Sequence, residues 1–360
     1  MTSAERPTAC LQINGRSIGS AHPPFVIAEV SGNHNSSKAA ALEIIAAAAE
    51  SGADAIKLQH YTPETITARS DHPDFLVRGG TVWDGRQLAD LYAEAMTPWE
   101  WTDDLAAECD RLGMTWFSTP FDPTAVDFLE RYDVPVYKIA SFELIDLPLI
   151  RYVASKGKPL IMSTGMATIG EIDAAVTAAR DAGAAGIALL RCNSGYPADP
   201  AEMDLRAIPV MADLWQVPVG LSDHTLTSTA SIAAVALGAC AIEKHVTLRR
   251  ADGGPDATFS LEPEELAHLV REVKAAYAAL GSIRFGPTKR EVASRAFRPS
   301  LRVVRPVGAG EMITNDNVRS IRPSGGLEPD WISAVLGAAA RRDMTVGEPL
   351  KWTDLMPSDE

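Results

Sequence analysis

Two histidines, three lysines and a series of carboxylates fall at the ends of short apolar runs, and that placement is the first chemical signal in the chain. Eight such runs recur, at residues 25–29, 55–59, 115–119, 136–141, 159–164, 186–192, 218–222 and 240–245. Their ends carry Glu29, Lys57 with Gln59, Ser118 with Thr119, and Lys138 with Ser141. Further on come Ser163 with Thr164, Asn193 with Ser194, Ser222 to His224, and Glu243 to His245. One polar run end means little, because loops begin there. Eight in succession imply that these groups converge.

His224 and His245 close the seventh and eighth runs. Two imidazoles at neighbouring strand ends, with carboxylates close by, suit a divalent ion that keeps open coordination positions. With two imidazoles and little soft sulfur expected nearby, Mn2+ is favoured over structural zinc, and Mg2+ or Co2+ is the alternative. Lys57 and Lys138 would carry cations into a water-poor mouth, which is costly unless an anion arrives. Thr119, Ser163 and Ser222 offer hydroxyls to the same anion. The plainer reading is that each lysine pairs with a carboxylate, as Lys244 would.

Such residues need elements that aim them. Between the runs lie Ala-rich or amphipathic stretches, such as 38–51, 167–182 and 228–238. Strands alternating with helices imply a parallel sheet, and eight units over roughly 260 residues match a closed (β/α)8 TIM barrel, an α/β fold. A doubly wound open sheet is the alternative, weakened because no G-x-G-x-x-G follows the first run. Strand alternation puts Lys57 and Gln59 on one face, and Glu243 and His245 on one face. Catalytic groups in such a barrel sit at the C-terminal strand ends.

The last fifth has another texture. Gly286, Pro287 and many charges mark a linker at 285–299, so the barrel is expected over 1–284 and a small β-rich domain over 300–360. In that domain Val307-Gly308-Ala309-Gly310-Glu311 leads to Asp316-Asn317-Val318, and Val346-Gly347-Glu348 leads to Thr353-Asp354-Leu355. This reads as an internal repeat. So short a domain has a thin core and is expected to dock on a partner surface.

Composition narrows the partners. With 46% apolar and 22% charged residues, the 360-residue chain is ordinary globular protein. A formal charge of −14 offers no basic field for nucleic acid. There is no apolar run near the ~20 residues a membrane span needs, and no secretory signal at the start. Four scattered cysteines without a C-x-x-C pair argue against a disulfide framework, so a reduced cytoplasmic setting is expected.

These residues lie in motifs that resemble the sialic-acid synthase family: IAEVSGNHN (27–35), GADAIKLQHYTPET (52–65), FSTPFD (117–122), YKIASFE (137–143), KPLIMSTGMA (158–167), CNSGYPA (192–198), VGLSDHT (219–225) and EKHVTLRRADGGPDATFSLEP (243–263). The tail SLRVVRPVGAGEMITNDNVRSIRP (300–323) resembles the antifreeze-like SAF domain that ends such chains. SGNHN, the YTPET segment, TPWEW (97–101), KIASFE and GLSDHT look most like the pseudaminic acid branch.

The resemblance implies a metal-dependent condensation of phosphoenolpyruvate with an amino-sugar aldehyde, 2,4-diacetamido-2,4,6-trideoxy-L-altrose for that branch, with release of phosphate. It gives His224 and His245 as metal ligands, and Lys57, Thr119, Lys138, Ser163, Asn193, Ser194 and Ser222 as binding positions, most of them for phosphoenolpyruvate. Glu29, Gln59, Tyr196, Glu243 and Asp256 fall near the sugar or the reacting carbons, with Glu29, Glu243 and His245 catalytic. It also implies a homodimer in which the SAF domain covers the partner's active site and supplies an arginine, here Arg298, with Arg295 or Arg302 as substitutes because Pro299 stands where the family has a second basic residue. Val246 replaces the family's Phe after EKH, which is expected to cost an aromatic contact and reshape the sugar pocket.

The nearest alternative is an N-acetylneuraminate or legionaminate synthase using N-acetylmannosamine or a related hexosamine. A barrel synthase for a sugar phosphate would need an extra basic cluster. A non-enzymatic ligand-binding protein would leave the polar strand ends without a reason.

Overall fold

The computed structural model describes residues 9–357. The chain falls into two compact units that divide between Gly281 and Ser282. In the first, eight parallel strands follow one another around a closed barrel: β1 Phe25–Glu29, β2 Ala55–His60, β3 Thr115–Pro120, β4 Tyr137–Ile139, β5 Leu160–Ser163, β6 Ile187–Cys192, β7 Val219–Ser222 and β8 Ala241–His245. β8 pairs back onto β1, with His245 opposite Glu29. This is the (β/α)8 barrel expected from the alternation of runs and helices. The open-sheet alternative is ruled out by closure.

The strands are buried on both faces, as parallel strands covered by helices are. In β1, Phe25 and Ile27 point into the barrel, while Val26 and Ala28 pack against the helical layer. The helix Lys38–Glu50 starts where Ser37 accepts from the Ala40 N–H, and it buries Ala41, Ile44, Ile45 and Ala48. The helix Ile169–Asp181 starts in a capping box between Thr168 and Glu171. Both lie within a residue or two of the sequence expectation.

One element escaped that expectation. Strands Leu11–Ile13 and Arg16–Ile18 form a hairpin around Asn14-Gly15, both at positive φ. An Asn-Gly pair is the strongest short-range hairpin signal. Leu11, Ile13 and Ile18 pack with Phe25, Phe117 and Ile161 at the N-terminal end of the barrel. That end is plugged by apolar side chains. Chemistry is confined to the opposite mouth.

In the second unit, strands Ser300–Val303 and Val318–Ile321 pair antiparallel over a core that includes Leu301, Val307, Ile313, Val335, Met344 and Leu350. The repeated phrase has a structural counterpart. Glu311 accepts from the Gly308 N–H and Glu348 from the Thr345 N–H, each at 2.8 Å. Likewise Asn317 accepts from the Thr314 N–H at 2.8 Å and Asp354 from the Lys351 N–H at 3.0 Å. Residues 285–299 are solvent-exposed, with one 3-10 turn at Ala293–Phe297.

Candidate active site

Strand alternation aims Glu29, Lys57, Gln59, Thr119, Lys138, Ser163, Ser222, Glu243 and His245 into the barrel near its C-terminal mouth. The loops after β6, β7 and β8 add Ser194 and Tyr196, His224, and Asp256. Arg298 is an exposed residue of the second unit.

A chain of charges crosses the mouth. Lys57 Nζ lies 3.1 Å from both Glu29 Oε2 and Glu243 Oε1. Lys138 Nζ lies 3.4 Å from the same Glu243 oxygen, and Ser222 Oγ donates to it at 3.3 Å. Gln59 Nε2 donates to Glu29 Oε1 at 2.8 Å and approaches Ser31 Oγ at 3.3 Å, and Ser31 in turn donates to Asp256. Thr119 Oγ1 accepts from Lys57 Nζ at 3.5 Å. The plainer sequence reading, lysines paired with carboxylates, therefore describes this mouth. Lys244 does the same on the outer face, 3.0 Å from Asp223.

The pairing leaves the charges poorly balanced. Burial, only partly opposed by Lys57, raises Glu29 from its ordinary 4.5 to about 7. Glu243 shifts the other way: Lys138 and Lys57 outweigh the burial that would raise it, and it falls to about 2. Burial lowers Lys138 to about 8 despite Glu243. Burial alone would lower Lys57 too, but Glu243 and Glu29 hold it above the usual lysine range. Near neutral pH, Glu29 is thus poised to hold or release a proton beside two lysines that share Glu243. Such a site gains from an arriving anion.

Several buried polar atoms here lack hydrogen-bond partners: Ser163 Oγ, Glu243 Oε2 and His245 Nδ1. A buried orphan costs roughly 1–3 kcal/mol, so three in one barrel mouth mark a place suited to a ligand. Gly165 helps to shape it. A Cβ there would collide with Ser194 Oγ and crowd Ser141 Oγ at 2.8 Å, and its N–H donates to Ser141 Oγ at 3.1 Å. Only glycine lets those hydroxyls close in.

The two histidines face each other, with ring centroids 5.2 Å apart. His224 Nδ1 is committed to the Asn193 carbonyl at 2.8 Å, which leaves Nε2 as the free edge of the ring. His245 Nδ1 has no hydrogen-bond partner and lies 4.0 Å from Asp256 Oδ2. Burial and the neighbouring cations push His245 well below its ordinary value, so its imidazole is neutral and able to ligate. Among the described residues no group of three or more His, Cys, Asp and Glu is arranged to hold a metal. Against its burial, Cys192 and the Asn193 carbonyl raise His224, so of the two rings it is His245 whose neutrality suits a metal ion.

Three expectations need correction. Sulfur is close after all: Cys192 Sγ lies 4.0 Å from His224 Nδ1, on the ring edge already engaged by Asn193. The Asn193 side chain is tied into its own loop: Oδ1 accepts from the Gly195 N–H at 2.8 Å and Nδ2 donates to the Glu202 carbonyl at 3.0 Å. The Asn193 backbone carbonyl orients His224. Val246 lies outside the pocket. It follows inward-facing His245, packs in the helical layer, and lines a small cavity with Ile44, Ala48 and Leu266. Arg302 is unsuited to serve a sugar, since it donates to the carbonyls of Pro323, Gly347 and Ser324 at 2.8, 2.6 and 2.6 Å.

The site also contains groups that sequence reasoning passed over. Phe259 stands 5.1 Å from His245, and Trp83 stands 5.3 Å from Tyr196, which is 4.5 Å from His224. Ser31 holds a left-handed conformation, with φ 51°, that brings its hydroxyl to Asp256. The positive φ belongs to the SGNHN motif, whose Gly32 packs so closely on Ala95 that a Cβ would come within 2.9 Å.

Fold and mouth together are those of a barrel enzyme whose mouth gathers two buried lysines around one carboxylate beside a second carboxyl raised toward neutrality. The comparisons with known proteins agree. A model described as "NeuB family" matches residues 44–285, and one described as "SAF domain" matches residues 298–356. The chain belongs to the NeuB family. It is 40% identical over 330 residues to a pseudaminic acid synthase of Campylobacter jejuni, covering 92% of this chain and 96% of that one. It is 34% identical to an N,N'-diacetyllegionaminic acid synthase of Legionella pneumophila, covering 95% and 97%. The crystal structure of a sialic acid synthetase from Leptospira borgpetersenii, in complex with citrate, superposes with a TM-score of 0.71 at 30% identity, covering 80% of this chain and 95% of that one. No helix among the described residues is long and apolar enough to cross a membrane.

Proposed function

We infer that this enzyme condenses phosphoenolpyruvate with 2,4-diacetamido-2,4,6-trideoxy-L-altrose to give pseudaminic acid and phosphate. The observation that carries the reading is the 40% identity to a pseudaminic acid synthase over nearly the whole of both chains. The mouth supports it chemically, with lysines for phosphate and carboxylate and with groups that move protons. The 34% identity to a legionaminic acid synthase supports a second reading, the same chemistry on a different hexosamine.

Lys57 and Lys138 hold the phosphate and carboxylate of phosphoenolpyruvate, aided by Ser163, by Ser194 beside Gly165 and by Ser222 beside Glu243. The enol carbon forms a bond to the sugar's aldehyde carbon, whose oxygen takes a proton. Positive character then develops at the carbon that bears the phosphate, and water adds there. Glu29, held by Gln59 and near neutrality in its titration, takes the proton from that water. Cleavage of the C–O bond expels phosphate and leaves the keto acid. Glu243 keeps both lysines in place and ionised.

His224 and His245 would hold a divalent ion, Mn2+ in our reading, which when bound would supply Lewis-acid polarisation of the aldehyde. Asp256, fixed by Ser31, and Tyr196 border the sugar. Arg298 of the SAF domain reaches the sugar from the partner subunit of a homodimer; its exposed side chain supports that role better than the engaged Arg302 does. The test is phosphate release and product mass with each candidate sugar.

A further inference from the structure

Two unlike sets of side chains meet at the mouth. Gln59, Ser31 and Asp256 form a connected polar chain. Tyr196 and Phe259 stand beside the histidine pair, and Trp83 packs on both of them. Tyr196 packs 5.0 Å from Phe259, and Trp83 packs 5.3 Å from Tyr196 and 6.1 Å from Phe259. Trp83 comes from far away in sequence. Residues 76–87 form a small hairpin closed by a bridge between Leu76 and Gln87 and by reciprocal backbone bonds of Val77 with Arg86 and Gly85. Asp84 clamps its turn by accepting from the Gly80 N–H and from the N–H and hydroxyl of Thr81.

The indole is fixed in turn. Trp83 Nε1 donates to the Pro255 carbonyl at 2.6 Å, in the same loop that supplies Asp256. Its one polar atom is thereby used, and what it offers the site is ring surface. We propose that Trp83, on Tyr196 and Phe259, forms an apolar wall that selects the sugar by its methyl-bearing face. A 6-deoxy, acetamido-substituted sugar can lay methyl groups and C–H bonds on these rings while its polar side meets Gln59, Ser31 and Asp256. A hydroxylated sugar must bury a hydroxyl against the rings with no partner, which disfavours it. This rests on the sugar assignment above and adds the residue that enforces it.

The experiment compares the wild-type enzyme with Trp83→Ala and Trp83→Phe, using the diacetamido trideoxy sugar and N-acetylmannosamine in parallel with phosphoenolpyruvate and Mn2+. One methyl or hydroxyl in an apolar pocket is worth about 10–200-fold in selectivity. Trp83→Ala should raise KM for the trideoxy sugar about tenfold, reduce its advantage over N-acetylmannosamine about tenfold, and leave KM for phosphoenolpyruvate within about twofold. Trp83→Phe, which keeps a ring but loses the bond to Pro255, should restore most of the selectivity. An unchanged preference in Trp83→Ala overturns the proposal. So does a rise in both substrates' KM, or a Trp83→Phe as impaired as Trp83→Ala, since either makes Trp83 a prop for the loop. A wild type that uses N-acetylmannosamine alone refutes the sugar assignment instead, and with it a wall that selects methyl groups.

Discussion

Lys57 and Glu29 stand opposite each other in the pairing of β2 with β1, and their side chains meet at 3.1 Å inside the barrel. Neither is solvated, so each sets the other's charge. Glu29 reaches about 7 because burial outweighs Lys57. The native state then holds this proton to higher pH than the unfolded chain does. The stability contributed by protonated Glu29 is complete below pH 4.5 and is lost as pH rises to about 7. Glu29→Gln should flatten the stability curve in that window when melting is followed against pH. It should also cut kcat/KM by about 100-fold or more and remove an acidic limb near neutrality. A variant that keeps the limb would assign it to another group.

Lys57 and Lys138 share one oxygen of Glu243. Truncating either to Met should raise KM for phosphoenolpyruvate by about 10- to 100-fold, because a charge-assisted contact is lost. The double variant should fall short of the product of the two effects, with a coupling of about 0.5–3 kcal/mol from steady-state kinetics. Strict additivity would mean that Glu243 does not couple the two lysines.

His224→Ala and His245→Ala should each abolish metal-dependent turnover while circular dichroism and thermal melting stay close to wild type. Retention of a near wild-type, metal-dependent rate by either variant would remove that residue from the metal site.

Most of the barrel was legible because parallel strands read as apolar runs, and alternation from Lys57 to Gln59 and from Glu243 to His245 pointed the chemistry inward. The same alternation carried the answer for Val246: next to inward His245, it had to face the helices. Asn193 and Arg302 mark another limit of the sequence. Their types suit substrate binding, and only the folded loops show the bonds that both already make. Trp83 and Phe259 sit on loops distant in sequence, where no periodicity records that they meet. The Asn14-Gly15 hairpin was readable in principle and was passed over because its strands are only three residues long.

Val246 lines a cavity in the helical layer. Val246→Leu should stabilise the barrel by about 0.5–1 kcal/mol, seen as a rise of about 1–3 °C in Tm, with both KM values unchanged. A change in sugar KM would return Val246 to the pocket.

Arg298 and Arg302 should separate cleanly. Arg298→Ala should raise the sugar KM and spare both Tm and the KM for phosphoenolpyruvate. Arg302→Ala, which removes bonds to three carbonyls, should destabilise the second unit by about 2–4 kcal/mol and expose it to limited proteolysis. The reverse pattern would exchange their roles.

The central claim is tested most directly by incubating the purified protein with phosphoenolpyruvate, Mn2+ and either 2,4-diacetamido-2,4,6-trideoxy-L-altrose or N-acetylmannosamine, and measuring phosphate release and product mass. The account predicts phosphate in step with a product of the mass of pseudaminic acid from the altrose, and little from N-acetylmannosamine. Turnover of N-acetylmannosamine with none of the altrose would contradict it.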